Sequence, residues 1–519
     1  MRDLGPLTPD LIRCSSHMPD LQPQTKTQDL DRVSRAKLGC QTTRALVLGV
    51  TALGAVLRLI FLGKKSLWLD EIFSVSIAKL DGPGFRNVVL SWEGFMGLYY
   101  ALLRAWIKLG DSEFIVRLLS VLPAIATVPL VYSIGKRLAG KNVGMIAALL
   151  LTINAFHIRY SQEARSYSLY VFFVVLACWF YVRLLELPDR RFDALGFVFA
   201  NILAIYGHFL AVLMLPVFWL ATSLTREPRL SPKRLRMSTA AIFLGVLPLF
   251  LFAILKNKGQ RNWIPKVGWD EIYHLAILLS GHSGTILLVL TTACLVVAGI
   301  MGARSWRDEN PRQRWGERFL WLWLALPITA AAAISTVKPM FVSRYFLLCV
   351  PPFLLLVALG ISRIRPRWLS ITLLVGIAGL SVRGDVAYYR TGFDPPDQRW
   401  RDAVHFLLSQ SQSGDAVLFY HPLARLAYEY YRPRFPQYSA PMVVFPARSD
   451  ARLLKGTPVD AALLRELPSR YQRVWLVQNY GPDEFTAEMQ EVFQTHYRAE
   501  NEREFGTTRI VLFELNDRE

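Results

Sequence analysis

Cysteine is scarce in this chain, with five in 519 residues. Cys14, Cys40, Cys178, Cys294 and Cys349 show no metal or redox spacing, and three of them lie inside apolar runs. None falls after residue 385, so that region needs no disulfide even in an oxidising space. Charge is scarce too, at 19% of residues. There is no glycine-rich loop of the phosphate-cradling kind, no internal repeat and no low-complexity tract. No His/Asp/Glu set has ligand spacing, so no cofactor is assigned; a divalent metal is neither demanded nor excluded. A cleavable signal peptide is not expected either. The first apolar run starts near Ala45 behind a long polar tail and should remain as an anchor.

Apolar residues are abundant, at 53% with mean hydropathy +0.28. Residues 118–134, 143–155, 169–185 and 285–301 carry no charge or almost none, a length that crosses hydrocarbon. The net charge of +19 would suggest nucleic acid in a soluble protein. Here the basic residues sit between apolar runs, as orientation signals do, and no nucleic-acid partner is expected.

Residues 1–43 are polar and expected to be a disordered cytoplasmic tail. Arg32, Arg35, Lys37 and Arg44 mark the inner end of the first span. Further inner loops follow at Lys136, Arg137 and Lys141; at Arg183, Arg190 and Arg191; at Arg226, Arg229, Lys233, Arg234 and Arg236; at Arg304, Arg307, Arg312, Arg314 and Arg318; and at Arg363, Arg365 and Arg367. The outer turns near 161–165, 207–209 and 338–344 are shorter and less basic, and the loop 256–266 is a basic exception. Residues 98–109 are short for a span and hold Arg104 and Lys108. Counting them as a span would invert every later loop. Residues 63–113 therefore read as one outer loop with interfacial helices, to which Trp68, Trp92, Tyr99, Tyr100 and Trp106 are suited.

The expected architecture is thus an α-helical polytopic membrane protein of about eleven spans over residues 44–384. A small α/β domain follows at 385–519 on the outer face. Its predicted strands lie at 416–420, 442–445, 474–477 and 510–513, separated by helical patterns at 400–408, 423–431, 459–467 and 484–493.

Three outer segments carry candidate chemistry. Asp70 and Glu71 follow the first span. They read either as a helix-capping pair, with Asp70 at the N-cap, or as a general base at the edge of low dielectric. Glu163 and Arg165, in IRYSQEARSYSLY, share the face of Asp70 by topology; they read as a stitched turn or as part of a common pocket. Lys338, Arg344 and Tyr345, in VKPMFVSRYFLL, open a later span. Basic groups there snorkel to head groups or grip a phosphate. Arg58, inside hydrocarbon, needs a partner, and His208 sits at an outer turn as an interface histidine rather than a ligand, as does His157.

Taken in order, LRLIFLGKKSLWLDE, LYYALLRAWIKLGDSEFIVRLLSVLPAIATVPLVYSIGKRLAG, YSQEARSYSLY and VKPMFVSRYFLLCVPPFLLL resemble bacterial glycosyltransferases of family 39. These are relatives of the protein O-mannosyltransferases and of the lipid A aminoarabinose transferase, with the GT-C fold. The resemblance covers residues 44 to about 420 and extends into QRWRDAVHFL and SGDAVLFY. It implies a multi-pass enzyme of the plasma (inner) membrane, with its chemistry on the outer side. Such an enzyme transfers a sugar from a polyprenyl-phosphate donor, with inversion, to an acceptor hydroxyl on glycan, lipid or protein. It also implies Asp70 as the base with Glu71 beside it, Glu163 and Arg165 at the sugar-phosphate or acceptor, and Arg344 on the lipid phosphate, in a donor-side set that takes in Lys338, Tyr345, Arg58 and His208. Gly94-Phe95-Met96-Gly97 stands where many relatives have His-Pro-Pro, which implies a subgroup with a different substrate. A multi-span transporter and a non-catalytic membrane scaffold are the rival classes. Against a transporter, there is no inverted repeat and no matching pair of broken helices.

Overall fold

A computed structural model describes residues 26–519 except 92, 188, 225–231, 256–265, 305–310, 392–397, 448–458, 460, 480–486 and 517–519. Trp92, Arg226, Arg229, Arg307, almost all of the basic loop 256–266 and residues 1–25 of the expected disordered tail therefore lie outside the described residues. From Lys26 onward the tail continues the first helix.

In chain order the helices are α1 (Lys26–Leu59), α2 (Leu69–Lys79), α3 (Gly82–Ser91), α4 (Gly97–Trp106), α5 (Glu113–Ala139), α6 (Lys141–Thr152), α7 (Ala155–Ser161), α8 (Tyr167–Glu186), α9 (Arg191–Gly207), α10 (Met214–Ser223), α11 (Pro232–Leu255), α12 (Trp269–Ser280), α13 (Thr285–Arg304), α14 (Pro311–Ser335), α15 (Val350–Arg363) and α16 (Arg367–Thr391). Among the described residues eight helical segments are long and apolar enough to cross a bilayer, with α15 counted from Ser343, or nine if the bent pair α6–α7 is one span. The expected eleven is reached only if α9, of 17 residues, and the short apolar stretch Phe209–Ser223 also cross. Length is the reason for the difference, since about 20 residues are needed to span hydrocarbon upright. Within 98–109 the chain forms α4 and a single 3₁₀ turn, each too short to cross upright.

The chain divides into two compact units. The spanning unit holds residues 1–60, 120–162 and 166–386. Its helices approach closely where small residues permit. A Cβ on Gly360 of α15 would stand 2.0 Å from the Cys294 carbonyl oxygen of α13, so only glycine allows that crossing. The 58° bend between α6 and α7 has an identifiable cause. Asn154 caps α7 by accepting from the His157 amide at 3.0 Å. Arg58 donates to the Leu151 and Thr152 carbonyls that end α6, at 3.1 and 3.2 Å. Ion pairs join the basic helix ends: Arg137 and Arg312 with Glu186, Arg183 with Asp193 at 3.1 Å, and Arg363 with Glu317 at 2.8 Å.

The second unit holds 61–119, 163–165 and 387–519. It contains α17 (Trp400–Gln410), β1 (Ala416–Phe419), α18 (Ala424–Tyr431), β2 (Met442–Phe445), α19 (Ala461–Arg470), β3 (Arg473–Asn479), α20 (Ala487–His496), β4 (Tyr497–Phe505) and β5 (Thr508–Leu515). The sheet order is β2-β1-β3-β5-β4; β2, β1 and β3 run parallel, while β5 is antiparallel to β3 and to β4. β1 and β3 are buried, as their unbroken apolar runs require, and β4, a polar edge strand, is exposed between its buried ends.

Candidate active site

The segment leaving α1 is gathered by one arginine. Arg117 of α5 donates from Nη1 to the carbonyls of Leu62 and Lys65 and from Nη2 to that of Ser66, each at 2.9 Å. It also grips Glu71 with a fork, Nε to Oε1 at 2.8 Å and Nη2 to Oε2 at 2.7 Å. Glu71 then accepts two backbone amides, Ala164 at 2.7 Å and Trp68 at 3.1 Å. Its side chain is fully buried. Glu71 is thus both the N3 partner in the cap of α2 and the anchor for the 163–165 turn.

That arrangement corrects the capping alternative. The N-cap of α2 is Trp68 rather than Asp70, and the cap contact belongs to Glu71. Asp70 is at the second position of the helix, half-buried, with 38% of its side chain exposed. Among the described residues its carboxylate accepts no hydrogen bond. Arg165 Nη2 lies 3.9 Å from Asp70 Oδ2, while Arg165 Nη1 donates to Ser74 Oγ at 3.3 Å. A carboxylate left unsaturated beside a guanidinium, at a helix N-terminus, is available to accept a proton.

Two participants were not legible as such. Glu93 accepts from Tyr100 Oη at 3.3 Å. Burial pushes its carboxyl above the ordinary range; Arg165 and Tyr100 oppose that, and Asp70 reinforces it. An acidic residue in the apolar, aromatic run SWEGFMGLYY was the available signal. Arg117 was missed because it falls at the edge of an otherwise apolar run, where a buried charge is itself a signal.

Glu163 is buried in the same turn as Arg165, so Asp70, Glu71, Glu163 and Arg165 all fall in the second unit. Arg58, His208, Lys338, Arg344 and Tyr345 belong to the spanning unit. Arg58 is fully buried and holds Gly54, Leu151, Thr152 and His157 Nδ1, the last at 2.8 Å, which makes it a helix clamp. His208 accepts from the Leu210 amide and packs on Tyr170, Phe209 and Tyr345. The carbonyl of Tyr345 accepts from Tyr170 Oη at 2.5 Å. Arg344, half-buried, stands 5.8 Å over the Tyr345 ring in the 3₁₀ helix Ser343–Cys349, and Lys338 is exposed. Among the described residues no group of three His, Cys, Asp or Glu is placed to hold a metal.

Over residues 95–267 the chain matches the family model described as dolichyl-phosphate-mannose-protein mannosyltransferase. No curated protein sequence matches it. Among solved structures it is similar to ArnT from Cupriavidus metallidurans in the apo state, with TM-score 0.58 and 12% identity over 91% of this chain and 98% of that one. The same enzyme bound to undecaprenyl phosphate matches with TM-score 0.58 and 13% identity over the same shares. An Archaeoglobus fulgidus oligosaccharyltransferase in complex with zinc and sulfate matches with TM-score 0.50 and 10% identity, over 84% of this chain and 68% of that one. At these identities the likeness is one of fold.

Proposed function

We infer that this chain, which has the fold of ArnT and matches the dolichyl-phosphate-mannose-protein mannosyltransferase model over residues 95–267, is a glycosyltransferase that moves a sugar from a polyprenyl phosphate to an acceptor hydroxyl on the outer face of the plasma membrane. The observation that carries the reading is the contrast between adjacent carboxylates. Glu71 is saturated by Arg117 and two amides, whereas Asp70 accepts no hydrogen bond among the described residues and is open to solvent. Asp70 takes the acceptor's proton as the hydroxyl oxygen bonds to the anomeric carbon. The carbon–oxygen bond to phosphate breaks on the opposite side, its electron pair leaves with the lipid phosphate, and the configuration inverts. The leaving phosphate is already anionic and needs a cation rather than a proton, a role assigned to Arg344. Arg165 balances the charge of Asp70 before transfer.

The purified protein should therefore transfer sugar from a polyprenyl-phosphate donor in detergent or nanodiscs. Arg344→Ala should weaken donor binding by about 2–5 kcal/mol if the ion pair is desolvated, and Arg344→Lys should recover part, because a point charge replaces a fork. Donor affinity unchanged in the alanine variant would return Arg344 to a lipid-facing role.

Orientation is supported by packing inside the second unit. Arg401 binds Glu113, with Nε at 3.0 Å from Oε1, and Tyr430 Oη donates to the Asp111 carbonyl at 2.6 Å, which supports a common side of the membrane for 61–119 and 387–519. Cysteines at the exposed positions Asn87 and Ser439, in a cysteine-free background, should both react with an impermeant thiol reagent on intact cells. Labelling of one alone would overturn the topology.

A further inference from the structure

Inside the second unit, a few residues of the C-terminal segment reach the stretch of chain just before Asp70. The amide of Leu69, first residue of α2, donates to Gln398 Oε1 at 2.8 Å. That oxygen also accepts from Trp400 Nε1 at 3.2 Å, which ties it to a core tryptophan at the start of α17. The amide of Leu67 donates to Tyr431 Oη at 2.8 Å. Ser66 Oγ accepts the Arg401 amide at 3.1 Å, and Arg401 donates to the carbonyls of Gly63 and Lys64, each at 3.3 Å.

The first amides of a helix have no partner within it and need one from elsewhere. In α2 the cap is local for Trp68, whose amide meets the Glu71 carboxylate, and for Glu71, whose amide meets the Trp68 carbonyl. The amides on either side of Trp68, those of Leu67 and Leu69, are satisfied by Tyr431 and Gln398, more than 300 residues further along the chain. Asp70 immediately follows the second of them, so the C-terminal segment holds the N-terminal side of Asp70, while Arg117, Glu71 and Ser74 hold it from within the helix and its neighbours.

We propose that Gln398 and Tyr431 are positioning residues for transfer, and that the C-terminal α/β domain serves to hold the first turn of α2 in its reactive geometry. The inference rests on Asp70 being the base. It goes beyond that reading by giving the domain a task and by naming the two atoms through which the task is done, Gln398 Oε1 and Tyr431 Oη. Misplacement of a reacting group by about 1 Å is enough to cost on the order of 10²-fold in rate.

The test uses the full-length protein with Gln398→Leu, Gln398→Glu and Tyr431→Phe. Gln398→Glu keeps an acceptor oxygen for Leu69 and Trp400, whereas Gln398→Leu removes it. Gln398→Leu should lower kcat up to about 10²-fold at unchanged KM for donor, and Gln398→Glu should keep most of the activity. In an Asp70→Asn background Gln398→Leu should cost little more, because the group it positions is gone. Equal losses in the leucine and glutamate variants, or a loss that adds in full to that of Asp70→Asn, would overturn the proposal. A second readout needs no activity. Amide hydrogen exchange over residues 62–72, without substrate, should quicken in Gln398→Leu and Tyr431→Phe while melting temperature holds. Unchanged exchange sinks the positioning role whatever the chemistry. Quickened exchange in a protein whose Asp70→Asn variant still transfers sugar sinks the base assignment and leaves the buttress standing.

Discussion

Asp70→Asn should fold, bind the lipid donor as the parent does, and transfer sugar about 10²–10⁴-fold more slowly, the usual contribution of a general base. The substitution keeps size and shape and removes the proton acceptor. Since Asp70 makes no cap contact and its carboxylate accepts no hydrogen bond among the described residues, stability has little to lose. The charge of Asp70 also helps hold the Glu93 carboxyl high, so in the asparagine variant that carboxyl should ionise at lower pH. Single-turnover transfer by the purified protein is the deciding measurement. Near-normal turnover would remove Asp70 from the mechanism.

The parts of this protein readable from sequence are those governed by local pattern. Apolar runs and the basic residues between them marked the spans, and alternation of short apolar strands with amphipathic helices marked the α/β domain. The expected strands at 416–420, 442–445, 474–477 and 510–513 correspond to β1, β2, β3 and β5. β4 escaped because YRAENEREF is an exposed edge with no apolar alternation, stabilised by pairing with β5 rather than by burial. Helix starts were less legible. Asp70-Glu71 offered two candidates for one cap, and only Arg117, contributed by α5, decides which carboxylate is consumed. The amide partners Gln398 and Tyr431 have no sequence signature at all, since their role depends on chain segments brought together by the fold. Arg58 was recognised as a charge that needs partners. Its partners, the carbonyls at the end of α6 and His157, make it a clamp on a bent helix pair.

Glu71→Gln should fail in a different way from Asp70→Asn, through folding. Glu71 and Arg117 form a buried pair, with Glu71 fully inaccessible and Arg117 nearly so. Breaking such a pair by neutralising one partner leaves an uncompensated buried charge and typically costs about 3–5 kcal/mol. The amide of the glutamine adds a clash of donors, since the groups that Glu71 meets among the described residues, the guanidinium fork and two backbone N–H groups, are all donors. The damage should spread, because Arg117 also gathers the carbonyls of Leu62, Lys65 and Ser66, and Glu71 holds the turn that carries Arg165. Arg117→Lys keeps the charge but loses the fork and most of those carbonyl contacts, so it should be destabilised as well. Replacing both residues with leucine should recover only part of the loss, because the freed backbone amides and carbonyls remain buried without partners. Thermal unfolding in detergent, with yield and donor binding measured alongside, separates the two carboxylates. A Glu71→Gln protein that melts at the parent temperature, binds donor and has lost transfer alone would make Glu71 a participant in the chemistry and would return Asp70 to the surface.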